Sequence, residues 1–200
     1  MQADVIDTLA GIAAGSPLDA IRRTRRSVAR EQAQKSYDSL FRPADYAGFG
    51  PLERFAVATF VAGLHGQDGI RSFYAEKLRG SAATDATRAA IDAEIAAART
   101  KGPYGAYPKG SLSREDTAGP VHRVAAAQRE ALGPRLMAAF EHVHMLVFHP
   151  RDADARSLQA LLDAGWTTTE IVTLSQLVAF LSFQIRVVAG LRALAVARAA

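Results

Sequence analysis

Apolar residues recur at three- and four-residue steps along most of the chain, and no two-residue alternation persists, so the pattern predicts an all-α protein. The strongest run is the last one, Thr167 to Ala199. Thr167-Thr168-Thr169-Glu170 reads as a capping box: the Thr167 hydroxyl takes an orphan backbone N–H and Glu170 reaches back to the helix start. Ile171, Val172, Leu174, Leu177, Val178, Leu181, Ile185, Val188, Leu191 and Leu194 follow at helical spacing, with Phe180, Phe183 and Val187 off that stripe. A helix apolar nearly all round is expected to be buried, and this one reads as the central core helix. Arg186 interrupts it and Thr173, Ser175, Gln176, Ser182 and Gln184 dilute it, so it is not read as a membrane span.

The rest of the chain divides in the same way. Val5, Ile6, Leu9, Ile12 and Ala13 give a short helix stopped by Gly15. Ser16 as N-cap, Pro17 at the first helical position and Asp19 in the first turn start another, with Leu18, Ile21, Val28 and Leu40 inward. Phe41–Gly50 is a loop. Pro51 starts a second strongly apolar helix (Leu52, Phe55, Ala56, Val57, Phe60, Val61, Leu64), broken at His65-Gly66-Gln67-Asp68-Gly69. Helices are expected around Ile70–Leu78, Ala83–Thr100, Val121–Leu132, Arg135–Phe148 and Asp154–Ala164, the last closed by Gly165. Gly102 to Gly110, with Pro103 and Pro108, is the predicted boundary. A first half of about 1–100 and a second of about 113–200 flank a loop at 101–112, all within one domain. An internal echo supports two halves: placing Glu53 on Glu170 also matches Val61 with Val178, Ala62 with Ala179, Leu64 with Leu181 and Gln67 with Gln184.

Composition narrows the chemistry. Of the 200 residues 49% are hydrophobic and 22% charged, enough for one substantial core. There is no cysteine, which excludes disulfides, thiolate metal sites and thiol catalysis together. The absence of a basic N-terminal region ahead of an apolar core points to a cytoplasmic protein. The net charge is +4, and Arg22, Arg23, Arg25, Arg26 and Arg30 form the densest basic run. A nucleic-acid patch is one reading; with no interleaved aromatics and with Asp19 and Glu31 alongside, a solvated helix face is preferred.

The stretch Pro51-Leu52-Glu53-Arg54-Phe55 through His65-Gly66-Gln67-Asp68-Gly69-Ile70-Arg71-Ser72-Phe73-Tyr74 resembles the carboxymuconolactone decarboxylase / alkylhydroperoxidase D-like family. Ala164-Gly165-Trp166 through Leu191, with Phe183-x-x-Arg186, resembles the second repeat of its peroxidase-related members. The resemblance implies an alkylhydroperoxidase D-like helical fold with two related helical halves. It covers roughly residues 40–195, with the degenerate motif at 51–78. The family's turn carries Cys-x-x-Cys followed by a histidine. Here Gln67 stands at the first cysteine, Ile70 at the second and Tyr74 at the histidine, while Phe55 stands at the family's upstream glutamate. A thiolate nucleophile and its resolving thiol are both missing, so thiol peroxidase activity is not expected.

Other candidates follow from residue type. His65 and Tyr74, with Gln67, could move protons in a retained polar pocket for a small carbonyl or lactone; the alternative is a filled site with Phe55, Ile70 and Tyr74 packed together. His142 and His144 point about 200° apart on a helix and cannot share one metal. His144, Glu141 and His149 could meet in three dimensions, but their spacing matches no metal motif, and His122 lies on a preceding segment. His144 is kept as a proton-transfer candidate. Glu53, Gln184 and Arg186 are the expected buried polar residues, with Arg186 paired to Glu53, Glu141 or Glu170. Trp166 reads as a staple on the last helix. No metal or other cofactor is implied. The leading expectation is a redox-inactive family member, at least a homodimer, that binds a ligand or serves as partner of a cysteine-containing hydroperoxidase-like protein. An enzyme of non-thiol acid/base chemistry is the alternative. Nucleic-acid binding ranks last, and no membrane is expected.

Overall fold

The computed structural model describes residues 4–199. The described residues are all-α: α1 Val5–Ala10, α2 Pro17–Thr24, α3 Ser27–Phe41, α4 Pro51–Leu64, α5 Asp68–Arg79, α6 Asp85–Ala98, α7 Arg129–Phe148, α8 Ala155–Asp163 and α9 Thr168–Ala199. The only β pairing among them is an isolated bridge between Gly105 and Thr117.

The central helix is α4, not α9. Ala56, Val57, Ala58, Phe60, Val61 and Ala62 are all fully buried, and α3, α5, α6, α7 and α9 pack around them. Gly63 lets α6 come this close: a Cβ there would stand 2.6 Å from the Ile95 side chain. Phe60 stacks on Phe140 of α7 at 4.3 Å, joining the halves of the chain at the centre. α9 buries only one face. Leu174, Leu177, Leu181 and Val188 face the core, whereas Val172 and Leu194 of the predicted stripe are exposed, as are Phe183 (45%) and Val196 (71%). Among the described residues beyond Val188 only Leu191 is partly covered. By length and composition α9 could cross a membrane, and half of its most apolar window is buried in the molecule.

Local start and stop signals form as their chemistry dictates. Thr167 N–H donates to Glu170 Oε2 (2.6 Å), and Glu170 N–H donates to Thr167 Oγ1 (3.3 Å), the reciprocal pattern of a capping box. Gly165, at φ 89°, closes α8: its N–H goes to the Leu162 carbonyl and that of Trp166 to the Leu161 carbonyl, which satisfies two orphan acceptors. α1 ends early by the same device at Gly11 (φ 71°), four residues before the predicted stop at Gly15.

Two predicted helices are interrupted. The Pro17–Leu40 run breaks at Arg25 and Arg26, because Arg22 and Arg30 both reach α1. Two turns apart on one straight helix they would be separated by about 12 Å. Arg22 Nε lies 2.5 Å from Asp7 Oδ1 and Arg22 Nη2 lies 3.1 Å from Asp4, while Arg30 Nη2 lies 2.8 Å from Asp7 Oδ2. Arg23 pairs with Asp19. Arg23, Arg25 and Arg26 are exposed, as expected of a solvated face, but Arg22 is buried and Arg22, Arg23 and Arg30 are paired with carboxylates; Val28, placed inward by the pattern, is exposed. Val121–Leu132 is not one helix either. The chain is non-helical up to Ala125, whose backbone is extended, then makes a 3₁₀ turn at Ala126–Gln128 before α7. Its amides are taken by carboxylates of two helices: Val124 N–H by Glu141 (3.1 Å) and Ala125 N–H by Glu94 (3.0 Å).

The buried polar expectations divide. Glu53 binds Arg135 (2.8 Å), and Glu170 binds the same guanidinium (3.2 Å), which also stacks on Trp166 at 4.3 Å. The two glutamates aligned by the internal echo thus share one arginine. Trp166, expected as a staple on the last helix, is buried edge-on to Phe49 and under Arg135, with its indole N–H donating to the Arg135 carbonyl. Arg186 is not buried and has none of the proposed partners: it is exposed and donates to the Ser182 carbonyl one turn back.

Candidate functional site

At the position of the family motif the structure is filled. Gln67 is the residue before α5 and is half-buried, while Ile70 and Tyr74 are wholly buried. Phe41 lies between Phe55 and Tyr74, with ring centroids 5.3 Å from each. The Tyr74 hydroxyl donates to Gln184 Oε1 at 2.6 Å, which leaves Gln184 Nε2 unpaired in the core. Burial pushes the Tyr74 pKa well above the ordinary tyrosine value. His65 caps the end of α4, half-buried, and burial lowers its pKa, with the nearby Arg186 charge adding to the effect. None of His65, Gln67 and Tyr74 lines either of the two large surface cavities.

The histidines of the second half converge instead. His142, His144 and His149 are buried, and the His122 side chain is almost as enclosed. The His122 and His144 rings are 5.1 Å apart, and those of His144 and His149 5.9 Å apart. The partner carboxylate is Glu94 of α6, 1% exposed, whose Oε2 lies 3.0 Å from His122 Nε2, off hydrogen-bond alignment. Glu141, the carboxylate expected from sequence, belongs elsewhere: it holds Arg123 and the Val124 amide. Glu94 carries no local signal in an alanine-rich helix; only packing brings it to the histidines. His144 Nε2 meets the Ala98 carbonyl (3.1 Å), and its Nδ1 has no partner. Burial, with His122 and His149 close by, depresses its pKa to about 4. His149 Nδ1 meets Asp152 at 3.1 Å. Although these residues are neighbours, no group of three or more metal-ligating side chains among the described residues has an arrangement able to hold a metal ion.

A cavity of about 840 Å³ opens in front of this cluster. One face of α7 (Pro134, Met137, Ala138, Glu141, His142, Met145) forms its floor, at the helical spacing that puts these residues in one stripe. Arg156, Ser157 and Ala160 of α8 form one wall, and the non-helical segment with Val121, His122 and Arg123 forms the other. Loop 99–120 is tied over its edge: Tyr104 N–H donates to the Phe148 carbonyl (2.8 Å), Ala106 N–H to Asp152 (3.0 Å), and Arg151 stacks on Tyr107 (4.0 Å). His122 therefore lines the cavity with Glu94 behind it. Burial lowers its pKa first, and the Glu94 charge partly restores it, so the ring is neutral at pH 7 with a carboxylate ready to steady its protonated form.

The other large cavity, about 660 Å³ between α3, the 43–49 loop and α9, has buried Arg54 at its base. That guanidinium has no carboxylate partner among the described residues. It donates to the Phe49, Leu40 and Tyr46 carbonyls at 2.6, 2.5 and 3.3 Å, a structural bracket for the loop. Comparison with protein-family models, curated proteins and solved structures gives no match to this chain.

Proposed function

We propose that this chain is a thiol-free member of the carboxymuconolactone decarboxylase / alkylhydroperoxidase D-like family. On this reading it binds a small carbonyl or lactone compound in the cavity between α7, α8 and the 119–125 segment, with His122 as proton carrier. The observation that carries the reading is the Glu94–His122 contact at the back of an open cavity. Thiol chemistry has no residue to run on, and the Gln67–Tyr74 region offers no room. The apolar α4, its short turn and α5 support the family resemblance, as does the pairing of Glu53 and Glu170 on Arg135.

The chemistry follows from the geometry. With Nε2 facing Glu94, Nδ1 is the His122 nitrogen left for the cavity. A neutral imidazole there takes a proton from carbon or oxygen beside a bound carbonyl. Glu94, too buried to be solvated by water, stabilises the imidazolium until the proton is returned. The test is deuterium exchange at the carbon beside the carbonyl in a panel of small ketones and lactones, followed by NMR in D₂O. His122→Asn is expected to slow exchange by about 10²-fold or more. Glu94→Gln, which keeps the shape and the acceptor for Ala125 N–H, should slow it while shifting the pH profile. Exchange at the wild-type rate in His122→Asn would remove His122 from the role.

A second reading, self-association or capture of a related subunit, is favoured by α9. Val172, Phe183 and Leu194 recur every eleven residues along one exposed side, and Val196 is exposed on the last turns of the helix. The chain exposes 10771 Å², whereas a compact monomer of this size is expected to expose about 9,100 Å². Sedimentation equilibrium at micromolar concentration should give at least a dimer, and Phe183→Glu should shift it to monomer. A wild-type monomer throughout would discard this reading.

A further inference from the structure

Three carboxylates and three arginines line the histidine cavity, but their hydrogen-bonding commitments are unequal. Each carboxylate is already engaged. Glu141 holds Arg123 (2.6 Å) and the Val124 amide, Asp152 holds His149 and the Ala106 amide, and Asp154 caps α8 through the Ser157 amide (2.8 Å). Three arginines line it, and only Arg123 is engaged. Arg129, at the first turn of α7, and Arg156, in the first turn of α8, have no ion-pair or hydrogen-bond partner among the described residues. Asp152 and Asp154 keep their charge, and Asp154 feels that of Arg156, but their oxygens are occupied by donors of the protein, whereas the guanidinium donors of Arg129 and Arg156 are free for a ligand.

A buried side chain points the same way. His142 is 5% exposed, lines the cavity floor, and has no partner at Nδ1. Burial lowers its pKa, so the ring is neutral at pH 7. The tautomer that leaves a bare lone pair at the orphaned Nδ1 puts the hydrogen on Nε2, the accessible nitrogen, because an orphaned donor costs more than an orphaned acceptor. A neutral N–H donor at the floor and two free guanidinium groups at the rim both ask for an acceptor-rich ligand. Between them the surface is apolar: Met137, Ala138, Met145 and Ala160. Such walls favour a hydrocarbon or aromatic body, with the thioethers able to lie against a ring edge.

From these commitments we infer that the cavity selects an organic anion: a small carboxylate whose charged end is held by Arg129 and Arg156 and whose apolar body lies along α7. This rests on the histidine cavity being the ligand site, and it adds the ligand's charge and shape. The probes are benzoate and hexanoate, their neutral amides, and inorganic phosphate, titrated into the full chain at fixed ionic strength. Imidazole and arginine side-chain NMR signals are the readout.

The acids are expected to shift the His122 and His142 signals. The amides and phosphate should bind at least tenfold more weakly. Arg129→Gln and Arg156→Gln, both at exposed positions, should each weaken benzoate about tenfold, as loss of one charge-assisted hydrogen bond does. Amides that bind as well as the acids, or arginine variants that bind benzoate normally, would overturn the anion inference and leave the cavity as the ligand site. Phosphate binding as tightly as benzoate would overturn the requirement for an apolar body. No shift of the cavity histidines with any probe would overturn the inference together with the site it rests on.

Discussion

Asp7→Ala is expected to destabilise the protein by about 3–5 kcal/mol, the range for breaking a buried ion pair and stranding its partner. Asp7 is the shared acceptor of two arginines: Arg22, itself buried, and Arg30. Remove it and Arg22 keeps only Asp4, 3.1 Å away, which is already capping α1 through the Asp7 amide. A guanidinium that water cannot reach is left half-neutralised between three helices. Urea unfolding should show the midpoint falling with little change in slope, and the melting temperature should drop by about 10 °C. Asp38→Ala is the control, because its pair with Arg42 has both side chains over 40% exposed and should cost less than about 1 kcal/mol. A loss below about 1 kcal/mol for Asp7→Ala would mean that the cluster relaxes or admits water, and that α1 is not pinned by it.

The second large effect is acid sensitivity above the range in which carboxylates titrate. His144 is held to a pKa of about 4 in the folded protein, whereas in the unfolded chain a histidine titrates near about 6.5. As pH falls through 6.5 the unfolded chain takes up the proton first, so folding stability declines from there to about pH 4 and then levels off for this group. Above pH 6.5 the contribution is fully present. Allowing for relaxation and water entry around a charged ring, the loss is on the order of 2 kcal/mol from His144. His122 and His142 shift in the same direction and add to it. Glu170 works in a separate, lower window. Its pKa is lowered, with burial opposing and the Thr167 and Arg135 contacts prevailing, so its contribution is lost only below the ordinary carboxylate range. Chemical denaturation at pH 7.5, 6.0 and 4.5 should therefore show a steady loss that His144→Gln makes shallower. A flat profile between pH 7.5 and 4.5 would show that these histidines take up protons equally in the folded and the unfolded chain, which would overturn the lowered folded-state pKa of His144.

Both effects come from residues whose importance is hidden in one dimension. The five clustered arginines read as a surface feature because sequence shows charge density and not depth; the structure sinks Arg22 and leaves Arg25 and Arg26 outside. The histidines read as scattered because His122 and His144 lie on different segments, and Glu94 sits in an alanine-rich helix with nothing local to distinguish it. His65 and Tyr74 drew attention through a motif position, yet that position is closed by Phe41, a residue from the end of the preceding helix.

The sequence by itself determined the all-α class, the start of α9 at its capping box, the start of α2 at Ser16-Pro17 and the close of α8 at Gly165. Each of these is an interaction among residues within one or two turns, so the necessary atoms are neighbours in the chain before they are neighbours in space. Tertiary structure alone decided that α4 rather than α9 lies at the centre, that Arg135 rather than Arg186 binds Glu53 and Glu170, that Val121–Ala125 is not helical, and that Glu94 backs His122. Apolar content says that a helix has something to bury but not which neighbours will bury it. A side-chain partner on another helix is chosen by packing, where a one-turn shift moves a carboxylate about 5.4 Å and makes or breaks the contact.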